Sequence, residues 1–96
     1  MLTKEQQKLY DAFYESTHNN KHLDTKTEIL VGLSAAIAMN CAPYMRHYLE
    51  LADKANVSEG AVSEVLAKVM AVAAGQKRLQ MKEADQRFKF DDECYE

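Results

Sequence analysis

The chain has 96 residues, of which 47% are hydrophobic and 28% charged, with a net charge of −3. These values describe one small globular domain spanning 1–96 and exclude a disordered composition. The acidic balance argues against nucleic acid as a partner, since binding it calls for a basic stripe, and no uncharged apolar run reaches 18 residues, so no membrane span is expected.

Thr3 with Gln6 three residues later makes a capping box, opening a first helix to about Thr17 with Leu9 and Phe13 on one face. Tyr10 and Tyr14 on that helix are expected to cover the subunit core. His18-Asn19-Asn20-Lys21-His22 reads as a polar loop. Asp24 caps a second helix, in which Ile29, Leu30, Leu33, Ala36, Ile37 and Ala38 form a wide apolar surface. Pro43 suits the first turn of a third helix, where its missing N–H costs nothing, and Asn56 ends that helix after about Ala55. Ser58 caps a fourth helix carrying Val62, Val65, Leu66, Val69, Met70 and Val72. Gly75 is expected to stop or kink it, with Gln76 to about Phe90 as a fifth helix whose Leu79, Ala84 and Phe88 face inward. The acidic tail 91–96 is expected to be mobile. The fold class is therefore all-α, a small domain of about five helices. No stretch alternates long enough for a strand.

The second and fourth helices are apolar over more of their circumference than a small bundle needs, and a helix apolar all round must be buried on all sides. A domain of this size buries only roughly 60–65% of its unfolded surface. Together these point to a homo-oligomer, with a compact monomer built around the second helix as the alternative. The opening residues Met1 to Lys8 are too polar for a signal peptide, and two cysteines in an unexported chain suggest reduced thiols or redox chemistry. A cytoplasmic location is expected.

Cys41, in Asn40-Cys41-Ala42-Pro43, falls at or near the start of the third helix. Unpaired backbone N–H groups and the positive end of the helix dipole favour a thiolate there, as a nucleophile requires. The competing reading is a packing residue, because unpaired cysteines behave as small hydrophobes. Cys94 sits among Asp91, Asp92, Glu93 and Glu96, a setting that disfavours its thiolate and leaves it at most a resolving thiol. His18 and His22 have the i, i+4 spacing of metal ligands, but on a loop, and Cys41 with His47 supplies only two ligands where a structural zinc site wants four. No metal or other cofactor is expected. Arg46 and Glu50 read as an exposed i,i+4 pair, the charges from Lys77 to Lys89 as a solvated face, and the five methionines as core fillers.

The run Leu23-Asp24-Thr25-Lys26-Thr27, the alanine-rich helix, Asn40-Cys41, the Lys-Ala-Asn-Val-Ser-Glu turn and the closing Ala-Ala-Gly resemble the carboxymuconolactone decarboxylase and alkylhydroperoxidase D-like family over 23–75. The resemblance implies an all-helical fold assembled into trimers or hexamers. It also implies, in the redox-active branch, a thiol peroxidase relay of Cys-x-x-Cys, a histidine four residues after the second cysteine, and a glutamate twelve before the first. Transferred onto this sequence, the first cysteine is Cys41, the second falls on Tyr44, the histidine on Tyr48 and the glutamate on Ile29. Near substitutes stand one position early, at His47 and Glu28. At about 100° per residue, Tyr44 and Tyr48 lie within roughly 60° of Cys41 while His47 lies about 120° away. That makes Tyr44 and Tyr48 pocket residues able to donate hydrogen bonds to a peroxide, and His47 and Glu28 weaker candidates for the base and its partner.

Two functions follow. One is peroxide reduction by Cys41 as a single thiol, with Cys94 or an external thiol resolving the sulfenic acid. The other is a non-enzymatic helical oligomer that binds a small apolar ligand. Lactone decarboxylation rests on the family name alone, with no acid–base set preserved for it.

Overall fold

The computed structural model describes residues 1–88, the side chains of Gln86, Arg87 and Phe88 excepted. Cys94 and the acidic tail lie outside the described residues. Four helices follow one another: α1 (Lys4–Ser16), α2 (Thr25–Ala38), α3 (Ala42–Lys54) and α4 (Glu59–Phe88).

α1, α2 and α4 start where the sequence supplies a side-chain cap, and α3 starts with Pro43 in its first turn. Thr3 and Gln6 form the reciprocal capping box of α1, Thr3 Oγ1 accepting from the Gln6 N–H at 3.1 Å and Gln6 Oε1 from the Thr3 N–H at 3.0 Å. Asp24 Oδ1 accepts the Thr27 N–H at 2.7 Å and Ser58 Oγ the Ala61 N–H at 3.0 Å. Hydrogen bonds from Thr27, the backbone N–H contributing most, hold the Asp24 carboxyl below its ordinary range.

α2 and α3 end alike. Asn40 and Asn56 adopt left-handed φ values of 56° and 59°, and the N–H groups that follow reach back across the last turn. Cys41 N–H donates to the Ala36 carbonyl and Val57 N–H to that of Ala52, both at 2.9 Å, while Asn40 and Asn56 donate to Ile37 and Asp53. These are Schellman turns with asparagine in place of the usual glycine.

α2 is the central element. It packs on both α3 and α4, which do not pack closely on one another. Ile29 and Leu33 of α2 meet Tyr48 and Ala52 of α3 in the core, with Ile37, Leu51, Val57, Val62 and Val65 around them. The low amphipathicity of α2 thus has a direct use: two of its sides are occupied by different helices.

Gly75 neither stops nor kinks α4, and the expected fifth helix is its continuation. Gly75 has no positive φ, and a helical glycine costs only roughly 0.8–1.0 kcal/mol, too little to interrupt a run flanked by Ala73, Ala74, Gln76, Lys77 and Arg78. Leu79 is exposed rather than inward-facing and Ala84 is half-buried. Leu9 and Phe13 share one side of α1, but both are about two-thirds exposed, at 68% and 66%. Met1, Met39, Met70 and Met81 are likewise exposed, so only Met45 is partly buried as a core filler. Leu66 and Val72 leave the outer side of α4 bare. The radius of gyration is 19.0 Å, whereas a compact domain of this length has about 12 Å. α1 packs closely on no other helix and α4 on α2 alone, so Leu9 and Phe13 on α1 and Leu66, Met70, Val72, Leu79 and Met81 on α4 are left uncovered.

Candidate functional site

Cys41 is the residue between two helices. Its N–H closes the turn that ends α2, and its carbonyl accepts the Met45 N–H at 2.9 Å to begin α3. Its side chain caps no N–H of α3, which leaves Sγ free to face a cavity. Cys41 is half-buried.

That cavity has a volume of about 390 Å³ and is walled by Tyr10 and Tyr14 from α1, Gly32, Ala35 and Ala36 from α2, Met39 and Cys41 at the junction, and Tyr44 and Tyr48 from α3. Among these lining residues only Cys41 and the four tyrosines carry an S–H or O–H group; the other side chains are apolar. A volume of this size suits a small ligand.

The tyrosines form a contiguous array. Tyr10 stacks near Tyr14, Tyr14 tilts against Tyr44, and Tyr44 stacks near Tyr48, with centroid separations of 6.2, 6.0 and 6.3 Å. The hydroxyls of Tyr14 and Tyr48 lie 3.1 Å apart. Burial, and then the bond to Tyr48, push the Tyr14 phenol up from 10.0 to about 12. The buried Tyr48 ring lies flat on α2 where Gly32 has no side chain. A Cβ at that position would stand only 2.8 Å from Tyr48 Cδ1 and closer still to the next two ring carbons. Gly32 is therefore what lets a tyrosine lie against α2 at this point, and it went unread in the sequence. Its signal is a glycine inside a strong helix-forming run, which generally has a packing reason.

Glu28 is placed differently from the base partner expected of it. Its Oε1 stands 3.4 Å from Nδ1 of His18, and the His18 ring meets Tyr14 edge-on at 4.8 Å. His18 is thus paired with a carboxylate, and among the described residues no group of three or more His, Cys, Asp or Glu side chains is placed to hold a metal. His47 is exposed, packs edge-on against Tyr48 at 5.2 Å, and is not among the residues that wall the cavity. Ile29, at the position the resemblance assigns to a glutamate, is a core residue at 3% exposure. Arg46 and Glu50 are both exposed and form no salt bridge among the described residues.

The fold and this cavity define an all-helical protein with a cysteine at an interhelical junction facing an aromatic pocket. The family model for the carboxymuconolactone decarboxylase family matches residues 4–86, and the chain belongs to that family. The match takes in α1 and nearly all of α4, beyond the stretch over which motifs are legible. Comparison with curated proteins and with solved structures gives no match. No helix among the described residues is long and apolar enough to cross a membrane.

Proposed function

We propose that this carboxymuconolactone decarboxylase-like protein is a thiol-dependent peroxidase in which Cys41 is the single peroxidatic thiol. The observation that carries the reading is the position of Cys41 in the wall of an otherwise apolar, tyrosine-lined cavity. The thiolate attacks the terminal oxygen of a hydroperoxide, the S–O bond forming as the O–O bond breaks. The departing alkoxide takes a proton and leaves as an alcohol, and Cys41 becomes a sulfenic acid. Tyr44 and Tyr48 supply hydrogen bonds to the oxygens. An external thiol then condenses with the sulfenic acid, releasing water, and a second thiol reduces the mixed disulfide.

The working form in this proposal is a homo-oligomer, a trimer or hexamer. Leu9 and Phe13 on α1 and Leu66, Met70, Val72, Leu79 and Met81 on α4 are the surfaces available to cover one another between copies. Light scattering that returns the mass of a single well-folded chain would remove this part of the proposal.

The test of the activity is Cys41→Ser. It is expected to abolish hydroperoxide consumption in the presence of a dithiol while leaving the helical content and the assembly unchanged. Undiminished turnover would overturn the reading. One observation favours a second reading, a non-catalytic assembly that binds a small apolar ligand: three of the four relay positions hold Tyr44, Tyr48 and Ile29. On that reading neither wild type nor Cys41→Ser consumes peroxide, and both bind the same apolar probe equally well.

A further inference from the structure

Helix α1 meets the rest of the chain at few points. None of its residues is buried, and no Cα of α1 comes within 8 Å of another helix. Its anchoring contacts run through Tyr14, which reaches Tyr44 and Tyr48, and through His18, one turn further on, which reaches Glu28. At about 100° per residue, Leu9 and Phe13 share one side of α1, while Tyr10 and Tyr14 are centred about 100° further round, toward the cavity. The helix is thus attached by a line of polar and aromatic contacts and not by a core.

We infer that Tyr14 is a positioning residue for the peroxide step: its hydroxyl donates to Tyr48, freeing the Tyr48 proton for the leaving oxygen, and the His18–Glu28 contact holds Tyr14 in place. The inference rests on the proposal that Cys41 meets the peroxide in this cavity.

The argument is one of proton supply. A phenol has a single proton. Were Tyr48 to donate it to Tyr14, its hydroxyl would offer the cavity only lone pairs. With Tyr14 as the donor, the Tyr48 oxygen accepts at 3.1 Å and its own O–H is left to reach the alkoxide formed when the O–O bond breaks. The 3.1 Å contact admits either hydroxyl as donor, and the assignment to Tyr14 is the one that leaves Tyr48 a proton for the cavity. Tyr48 cannot swing away to choose another partner. Gly32 lies under its ring, His47 packs against its edge, and Tyr44 is stacked beside it. After the step Tyr48 regains a proton from solvent, so the balance is unchanged: hydroperoxide, thiolate and one proton give sulfenic acid and alcohol. His18 and Glu28 touch neither sulfur nor cavity. They act on Tyr14, the His18 ring standing edge-on to it and Glu28 fixing that ring.

The experiment follows Cys41 itself, by mass spectrometry of the peptide that bears it, in the full-length chain. Sulfenic acid formed from an alkyl hydroperoxide is trapped with a 1,3-diketone, and in parallel Cys41 is alkylated with iodoacetamide, which needs no proton donor. Tyr14→Phe keeps the ring and removes the hydroxyl. It is expected to slow sulfenic acid formation about tenfold, less than the 10²–10³ typical of removing a donor outright, with alkylation held within about twofold. Tyr48→Phe should slow the same step by more. Equal losses in both reactions, or no loss in either, would overturn the role of Tyr14. If Tyr14→Phe does not fold, Glu28→Gln and Glu28→Ala decide. Gln keeps an acceptor for the His18 ring N–H and should retain the peroxide rate that Ala loses; identical rates for the two overturn the inference. A wild-type Cys41 that reacts with hydroperoxide no faster than free cysteine defeats the peroxidase proposal itself, a result visible before any variant is made.

Discussion

Two glycines in the same chain should respond to alanine with opposite signs. Gly75 lies inside α4 with nothing within 4 Å of the position a Cβ would occupy. Alanine there gains the helix preference alone, roughly 0.8–1.0 kcal/mol. Gly32 lies inside α2 and gains the same preference, but its new methyl would meet three atoms of the Tyr48 ring, the outermost at 2.8 Å. The ring is the rigid part of a side chain 7% exposed and tied by its hydroxyl to Tyr14, so relief requires α2 and α3 to move apart. Overpacking of that kind costs roughly 1–3 kcal/mol. Gly32→Ala is therefore expected to be less stable than Gly75→Ala by about 1–3 kcal/mol. Urea unfolding of both variants at one protomer concentration measures this, the fixed concentration removing any mass-action term from assembly. In a Tyr48→Leu background the obstacle is gone, and Gly32→Ala should turn stabilising. Gly32→Ala as stabilising as Gly75→Ala in the wild-type background would refute the claim that Tyr48 lies on α2 at this glycine.

Other outcomes follow from the same structure. Leu33→Ala, at 2% exposure in the centre of α2, should cost about 2–5 kcal/mol in the same urea assay; a loss under 1 kcal/mol would mean the core is elsewhere. The raised Tyr14 pKa makes a stability contribution that is complete below 10.0 and lost as pH rises through about 12, since only the folded state still holds the proton in that window. At 1.36 kcal/mol per unit, and discounted because Tyr14 is only half-buried, the total loss across that window amounts to about 1 kcal/mol, and Tyr14→Phe should lack it. The depressed Asp24 carboxyl works in the opposite direction. Its cap is in place above the ordinary carboxylate range and fails as pH falls through the lowered value, so Asp24→Asn, which caps without titrating, should lessen acid unfolding followed by circular dichroism.

Local chemistry was the legible part of this chain. Thr3 with Gln6, Asp24 and Ser58 announce helix starts by side chains that reach only three residues, and Asn56 announces an end by its tolerance of a left-handed backbone. The placement of Cys41 follows from such signals, as does the expectation that Tyr44 and Tyr48 share its side of α3, and both now stand in one cavity wall. What sequence periodicity does not carry is contact between elements. The Tyr14–Tyr48 bond joins residues 34 apart and the His18–Glu28 contact spans a loop; neither has a pattern that repeats along the chain. The fate of Gly75 was misjudged for a related reason. A glycine ends a helix when its backbone turns left-handed, and a run of strong helix formers on either side outweighs that tendency. The bare apolar sides of α1 and α4 follow from position rather than composition, since the same side chains nearer α2 would have been core.

The turn between α2 and α3 makes the chemistry separable from the scaffold. Asn40 supplies the left-handed backbone and residue 41 contributes only main-chain atoms to both helix ends, so the side chain at 41 carries no structural duty. Natural selection can therefore exchange that one side chain at little cost to the turn, whereas Tyr48 on the next helix is held by the core. A lineage with such a turn can lose, retune or regain a reactive sulfur while its architecture persists.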